Sequence, residues 1–281
     1  MNRITALYII AVILLLSACL YTYKAENTTT HTRTADQFSQ ANLETKNGAV
    51  TITATTDTLA TVKITCYAYG KNKDDAQKRL EKITVTDMVN NNLWDLRVNF
   101  PPSGVPQGAI IDAYLPASTR TTIATSNNKV TVSGITGSIS VTTSNSPVTL
   151  IGTAGTASIA TRNSPVTVQV HSGAITITTT SGAIDCDLAE LPPTASATLT
   201  TTSAKIILRL PPDLSAYINA AATNGTVVIT GYNVHYEEQT RERIRARIGS
   251  GASAITITTT KGDIVIQNRQ ATGNGQKNTK P

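Results

Sequence analysis

Between residues 120 and 191 apolar residues alternate with Thr and Ser in short runs, and the runs recur every 18 residues. Ile123, Val141, Ile159 and Ile177 fall in one column, with Thr125, Thr143, Thr161 and Thr179 in a second column two places on. Val130, Val148, Val166 and Ile184 form a third, and Val132, Leu150, Val168 and Cys186 a fourth. Alternation with period two marks a strand with one buried face, so each row reads as two short strands. Asn127, Asn145 and Asn163 occupy the corner between them, with Ser181 in that place in the fourth row. Gly137, Gly155 and Gly173 close the first three rows. Asn and Gly tolerate the backbone angles that a tight corner requires. One row cannot satisfy its own backbone or cover its apolar face. Stacking rows about 4.8 Å apart pairs each strand with its equivalent and buries a continuous Val and Ile column. The Asn column is expected inside the corner, its amides bonding to one another from row to row.

The same template returns at Asn47–Ile52, Ser203–Leu208, Asn224–Ile229 and Lys261–Ile266, which makes about eight coils. The sequence therefore predicts an all-β solenoid, parallel β-helix-like, over residues 41–267. Two insertions interrupt it, at 53–119 and 232–253. The first carries Trp94, much of the aromatic content, and a short amphipathic helix predicted near Asp74 to Ile83. It is expected to pack over one end of the stack as a small α+β cap, because an open sheet end exposes unpaired backbone.

Composition agrees with strands. Aromatic residues make up 4% of the 281-residue chain and charged residues 15%, which leaves little for a helical surface. The net charge is +6. Without Arg3, which sits in the leader, 23 basic face 18 acidic residues, or +5. That excess is mild and implies no nucleic-acid partner.

The N-terminus reads as an export leader: Arg3, an apolar run from Ile4 to Leu16, then Ser17 and Ala18 before Cys19. Leu16-Ser17-Ala18-Cys19 is similar to the bacterial lipobox, which implies a signal peptide over 1–18 and acylation at Cys19. The alternative is an uncleaved anchor helix, since Ile4 to Leu20 is close to the shortest span, about 17 residues, that crosses a bilayer. Either way the remainder lies outside the cytoplasm. Leu20 rather than Asp after the Cys resembles lipoproteins sent to the outer membrane, if the host has one. Residues 25–40 are polar, with Thr28, Thr29 and Thr30 in succession and no apolar period, and 19–40 is expected to be a lipid-anchored tether. Residues 268–281 lack Leu, Ile, Val and aromatics and are expected to be a disordered tail.

The segments Thr45–Ile52, Leu210–Gly225 and Gly249–Ile264 resemble the putative-adhesin, β-strand-repeat family of bacterial envelope proteins of unknown function. The likeness spans about residues 40–267. It implies a single-stranded, right-handed β-solenoid, and it carries no agreed activity. Ser181 and Ser203 stand where Asn is usual.

Chemistry is sparse. His31, His171 and His235 fall in the tether, a corner and an insertion, share no spacing, and are expected to be solvated. No metal motif is present in the sequence. Cys66 and Cys186 read as core thiols, although an oxidising compartment permits a disulfide. Asp185 and Asp187, with Glu190 nearby, form the best carboxylate pair, yet no second acid faces them as a glycosidase requires. Asp187 is expected to pair with Arg209 across coils. Arg241, Arg243, Arg245 and Arg247 share one face if residues 240–248 form a strand. They read either as a solvated face balanced by Glu237 and Glu238, or as a grip for phosphate or carboxylate groups on a polymer.

The expected function is a non-catalytic, lipid-anchored cell-envelope solenoid, an adhesin or surface scaffold binding a glycan, a protein or an anionic polymer. The alternatives are an envelope-stress or regulatory lipoprotein and, as a minor reading, an enzyme acting on polysaccharide. No cofactor, metal or small-molecule substrate is expected. The lipid supplies the membrane contact.

Overall fold

The computed structural model describes residues 21–269. The expected signal peptide over 1–18, the expected acylation site at Cys19 and nearly all of the tail after residue 267 lie outside the described residues.

The chain opens with β1 (Tyr23–Thr34), β2 (Gln40–Glu44), β3 (Val50–Thr55), β4 (Leu59–Gly70), α1 (Lys73–Leu80), β5 (Thr84–Asn90), β6 (Leu93–Asn99) and β7 (Gln107–Pro116). The repeats supply β8 (Arg120–Ala124), β9 (Val130–Ser133), β10 (Ile139–Thr142), β11 (Val148–Ala154), β12 (Ala157–Ala160), β13 (Val166–Ser172), β14 (Ile175–Thr178) and β15 (Ile184–Glu190). Then come β16 (Ser196–Thr201), β17 (Ile206–Leu210), β18 (Ala216–Asn224), β19 (Val227–Thr230), β20 (His235–Gln239), β21 (Arg243–Ile248), β22 (Ser253–Lys261) and β23 (Ile264–Asn268).

Successive repeat strands alternate between two sheets. In chain numbers the first sheet runs 1-4-7-3-9-11-13-15-17-23-19 and the second 20-21-18-22-16-14-12-10-8-2-6-5. Each coil gives one strand to each sheet, and strands pair in parallel with their equivalents. Val148 lies opposite Val130 and Val166, and Val141 opposite Ile123 and Ile159. In the first sheet the column runs Val50, Val130, Val148, Val166, Ile184, Ile206, Ile264 and Val227. All are buried in one core shared with the second sheet. At about 1.5–3 kcal/mol for each fully buried aliphatic side chain, such columns carry the stack.

The coils do not stack in chain order throughout. β22 lies between β16 and β18, and β23 between β17 and β19, so the last coil wedges in beneath the preceding one. The 53–119 segment extends both sheets at the opposite end. β7 and β4 continue the first sheet, β6 and β5 the second. α1 starts at Asn72, whose side chain accepts the Asp75 N–H, and buries Ala76 and Leu80.

Several expectations change. Residues 23–34 are not a tether but β1, a strand antiparallel to β4 over its whole length. Asn268 belongs to β23, and Arg269 pairs with Asp187 at 2.7 Å, so the ordered chain continues past residue 267. Inside the Asn corner sit Thr125, Thr143 and Thr161, together with Ser146 and Ser164, while Asn145 and Asn163 are exposed. The small hydroxyl residues fit the tight interior turn and the larger amides are displaced outward.

Candidate functional site

Two surfaces carry chemistry that the core does not need. The first is the arginine strip. β21 lies antiparallel between β18 and β20. Its alternation points Ile244, Ala246 and Ile248 inward and leaves Arg243, Arg245 and Arg247 exposed. Arg241 precedes the strand, and its backbone carbonyl accepts the Val227 N–H at 3.0 Å. The strip is therefore three arginines on a strand and a fourth at its approach. Arg247 reaches Glu237 at 3.3 Å, and Arg245 donates to the Tyr217 hydroxyl at 3.2 Å. That hydroxyl donates in turn to Glu237 at 2.9 Å. Glu237 thus balances one end of the strip, while the Arg243 guanidinium has no ion-pair partner among the described residues. Arg243 and Arg245 border a depression of about 360 Å³ whose other walls are Asn219, Ala221 and Thr258. The exposed sheet face beyond it is uncharged: Thr256 and Thr258 lie beside Thr198 and Thr200, which lie beside Thr176 and Thr178.

The second surface is at the other end of the stack, where the Asn corner meets β4. Asn163 donates to Asn145 at 2.8 Å, Asn145 to Asn127 at 3.1 Å, and Asn127 to Asn47 at 2.6 Å. Asn47 donates to the Gln107 carbonyl at 3.0 Å. Here the corner opens into a cavity of about 680 Å³. Tyr67 and Tyr69, two apart on β4, stand side by side with their rings 6.2 Å apart and edge to face. The Tyr67 hydroxyl donates to the Asn47 carbonyl at 3.0 Å, and burial pushes its pKa up. Gly108 allows this approach, since a Cβ there would sit 1.6 Å from the Asn47 carbonyl oxygen and 2.5 Å from the Tyr67 hydroxyl. Lys24 lies 5.1 Å over the Tyr67 ring and pairs with Glu26 at 2.6 Å. Sequence reasoning passed over this cavity because its residues come from five separate segments. The one legible signal was two tyrosines at strand spacing.

The remaining candidates are absorbed by structure. Arg209 binds Asp185 through both terminal nitrogens, not Asp187 as expected, and Asp187 turns to Arg269. Each carboxylate is thus held in an ion pair with an arginine. His31 is not free in solvent: its Nδ1 lies 2.8 Å from Asp87, which also accepts from Arg33 at 2.9 Å and Trp94 Nε1 at 2.8 Å. Burial opposes ionisation of Asp87, but the hydrogen bonds from Trp94 and His31 and the Arg33 charge hold its pKa below the usual carboxylate range. His171 is fully buried, contrary to expectation, with Nδ1 at 3.0 Å from Thr153 Oγ1 and Nε2 at 3.3 Å from the Ala174 carbonyl oxygen. Cys66 and Cys186 are free, buried thiols whose pKa values burial raises. Among the described residues no group of three or more His, Cys, Asp or Glu could hold a metal ion, and no helix is long and apolar enough to cross a membrane.

Residues 116–267 match the family model described as Toastrack DUF4097. No curated protein sequence matches the chain. Among solved structures, the chain is similar to a "putative cell adhesion protein" from Clostridium sporogenes, at 12% identity over 87% of this chain and 100% of that one, with a TM-score of 0.37. A "putative adhesin" from Parabacteroides distasonis is 11% identical over 86% and 97%, with a TM-score of 0.39. Another from Bacteroides fragilis is 15% identical over 86% and 97%, with a TM-score of 0.30.

Proposed function

This chain belongs to the Toastrack DUF4097 family, and from that premise we propose that it is a non-catalytic binding scaffold of the bacterial envelope, exported and lipid-anchored at Cys19. Its ligand surface is the strip of Arg243 and Arg245 with the depression beside them, and its ligand an anionic envelope polymer. The observation that carries this reading is the separation of roles along β21. The alternate residues Ile244, Ala246 and Ile248 hold the strand to the core, which leaves Arg243 unpaired and directed to solvent beside a cavity. Guanidinium groups recognise carboxylate and phosphate through paired, directed N–H donors. Along the strand alternate side chains stand about 7 Å apart, a spacing suited to successive charged groups of a polymer.

The anchor gives this surface a direction. Only three residues lie between Cys19 and Tyr23, so an acylated Cys19 would hold the start of β1 within about 14 Å of the bilayer. The first sheet has eleven strands, which at about 4.8 Å each extends the stack by roughly 50 Å. The arginines belong to the far end. If the host has an outer membrane, Leu20 favours that membrane as the site of attachment.

The test uses Arg243→Ser with Arg245→Ser, which leaves the buried face of β21 untouched. Retention of the wild type on an immobilised anionic envelope polymer should be strong at low ionic strength and lost at high, and the double variant should elute early at every salt concentration. Equal retention of a folded double variant refutes the arginine assignment. A Cys19→Ala protein with unchanged mature mass and detergent partitioning refutes the anchor.

A further inference from the structure

The cavity at the Asn corner lies at the end of the stack away from the arginines, and nothing in the reading above uses it. It is the larger of the two surface sites and is lined by three kinds of group. Tyr67 and Tyr69 present aromatic surface from the exposed side of β4. Asn47, Asn127 and Asn128 supply side-chain amides. Both charged residues that line it, Lys24 and Lys129, are cations.

Each group has capacity to spare. An Asn amide carries two N–H donors and a carbonyl with two lone pairs. In the ladder Asn127 donates once, to Asn47, and accepts once, from Asn145, which leaves a donor and an acceptor position for a ligand. Asn128 is exposed, with φ at 77°, a left-handed conformation that turns its side chain out of the corner. Lys24 is already paired with Glu26, whereas Lys129 is exposed and has no ion-pair partner among the described residues. The Tyr67 hydroxyl is committed to Asn47, so that ring is fixed in place. The Tyr69 side chain makes no hydrogen bond among the described residues and stands edge to face against it.

We infer that this cavity is a binding site for an acidic saccharide, a sugar bearing a carboxylate. Aromatic rings take up the apolar C–H face of a pyranose, amides bridge neighbouring hydroxyls, and an unpaired ammonium receives the acid. A purely apolar ligand would strand the amides, and a cation would meet the unpaired Lys129. Asn145 and Asn163 continue the row of amides away from the cavity along an exposed corner, giving a longer chain a track of hydrogen-bonding groups.

The experiment titrates the intact protein with a soluble trimer of galacturonate and, separately, with a neutral hexose trimer, reading binding by calorimetry and by shifts of tyrosine ring resonances. Wild type should bind the acidic trimer at least tenfold more tightly than the neutral one. Tyr69→Ala should weaken the acidic trimer by roughly tenfold, the scale of one lost ring contact, while Tyr69→Phe binds as wild type. Lys129→Ser should remove the preference for the acidic trimer. Arg243→Ser with Arg245→Ser should leave the Tyr67 and Tyr69 ring shifts and their titration midpoint unchanged, which separates this site from the arginine strip. Absence of binding by wild type, equal binding of both trimers, or a folded Tyr69→Ala protein that binds as wild type would each overturn the assignment.

Discussion

The side-chain amide of Asn127 donates to Asn47 at 2.6 Å across 80 residues of sequence. The bond joins the first coil to the second over the whole 53–119 insertion. The same residue accepts from Asn145 at 3.1 Å, so Asn127 adds a side-chain link between the early coil and the regular repeats to the strand pairs that join them. Asn127→Ala removes both bonds. At about 1 kcal/mol for each partly shielded hydrogen bond, the variant should lose about 1–2 kcal/mol in urea unfolding. Asn163→Ala, which removes one exposed bond, should lose less. Equal effects would show that the ladder is not graded by burial.

Val148 is 1% exposed and lies between Val130 and Val166, whereas its neighbour Thr149 faces outward. Val148→Asp would bury a carboxylate with no cation to meet it, and should cost roughly 4 kcal/mol or more. Thr149→Asp should cost less than about 1 kcal/mol. Comparable losses in thermal unfolding for the two variants would contradict the register.

These pairs show why the repeat was legible and other parts were not. A period of two in residues such as Val148 and Thr149 survives in the sequence because one face of each strand is buried in every row. β1 left no such trace. Its residues alternate little in burial, and it is a strand because twelve of them pair with β4. The wedged position of β22 and β23 was equally hidden, since each coil offers the same Val and Ile edge and no local feature says which coil lies next. The arginine alternation could be read because Ile244 and Ala246 mark the buried side. The tyrosine cavity could not, because Lys24, Asn47, Tyr69 and Lys129 meet only after the sheets form.

Val170 occupies the left-handed region at φ 63°, a conformation its equivalents Gly134 and Gly152 adopt at 72° and 57°. A β-branched side chain is strained there by about 1–3 kcal/mol. Val170 is 44% exposed, so little packing compensates. Val170→Gly should therefore stabilise the protein by about 1 kcal/mol, after allowing for the greater freedom of Gly in the unfolded chain. The reciprocal Gly152→Val should destabilise it, and a Cβ at Gly152 meets no atom within 4 Å, so backbone strain would be the cause. A lower urea midpoint for Val170→Gly would contradict the strain argument.

The residue after this bulge is His171, and the extra residue explains its burial: the bulge shifts the alternation by one place and turns the imidazole into the core beside Thr153. Desolvation lowers its pKa below the ordinary value, although hydrogen bonds to backbone groups at Ala174, Gly155 and Thr153 act in the opposite direction. In the unfolded chain the same residue titrates near 6.5. Between the two values the unfolded state holds more protons than the folded one, so this contribution to stability is complete above about pH 6.5 and falls as the pH drops towards the folded pKa. The slope from one such group is at most about 1.4 kcal/mol per pH unit. Urea midpoints measured from pH 7.5 to pH 5 should fall for wild type, and His171→Leu should remove that part of the decline, whatever it costs at pH 7.5 by leaving Thr153 without its partner. A His171→Leu protein whose midpoint declines as steeply as wild type would assign the acid sensitivity elsewhere.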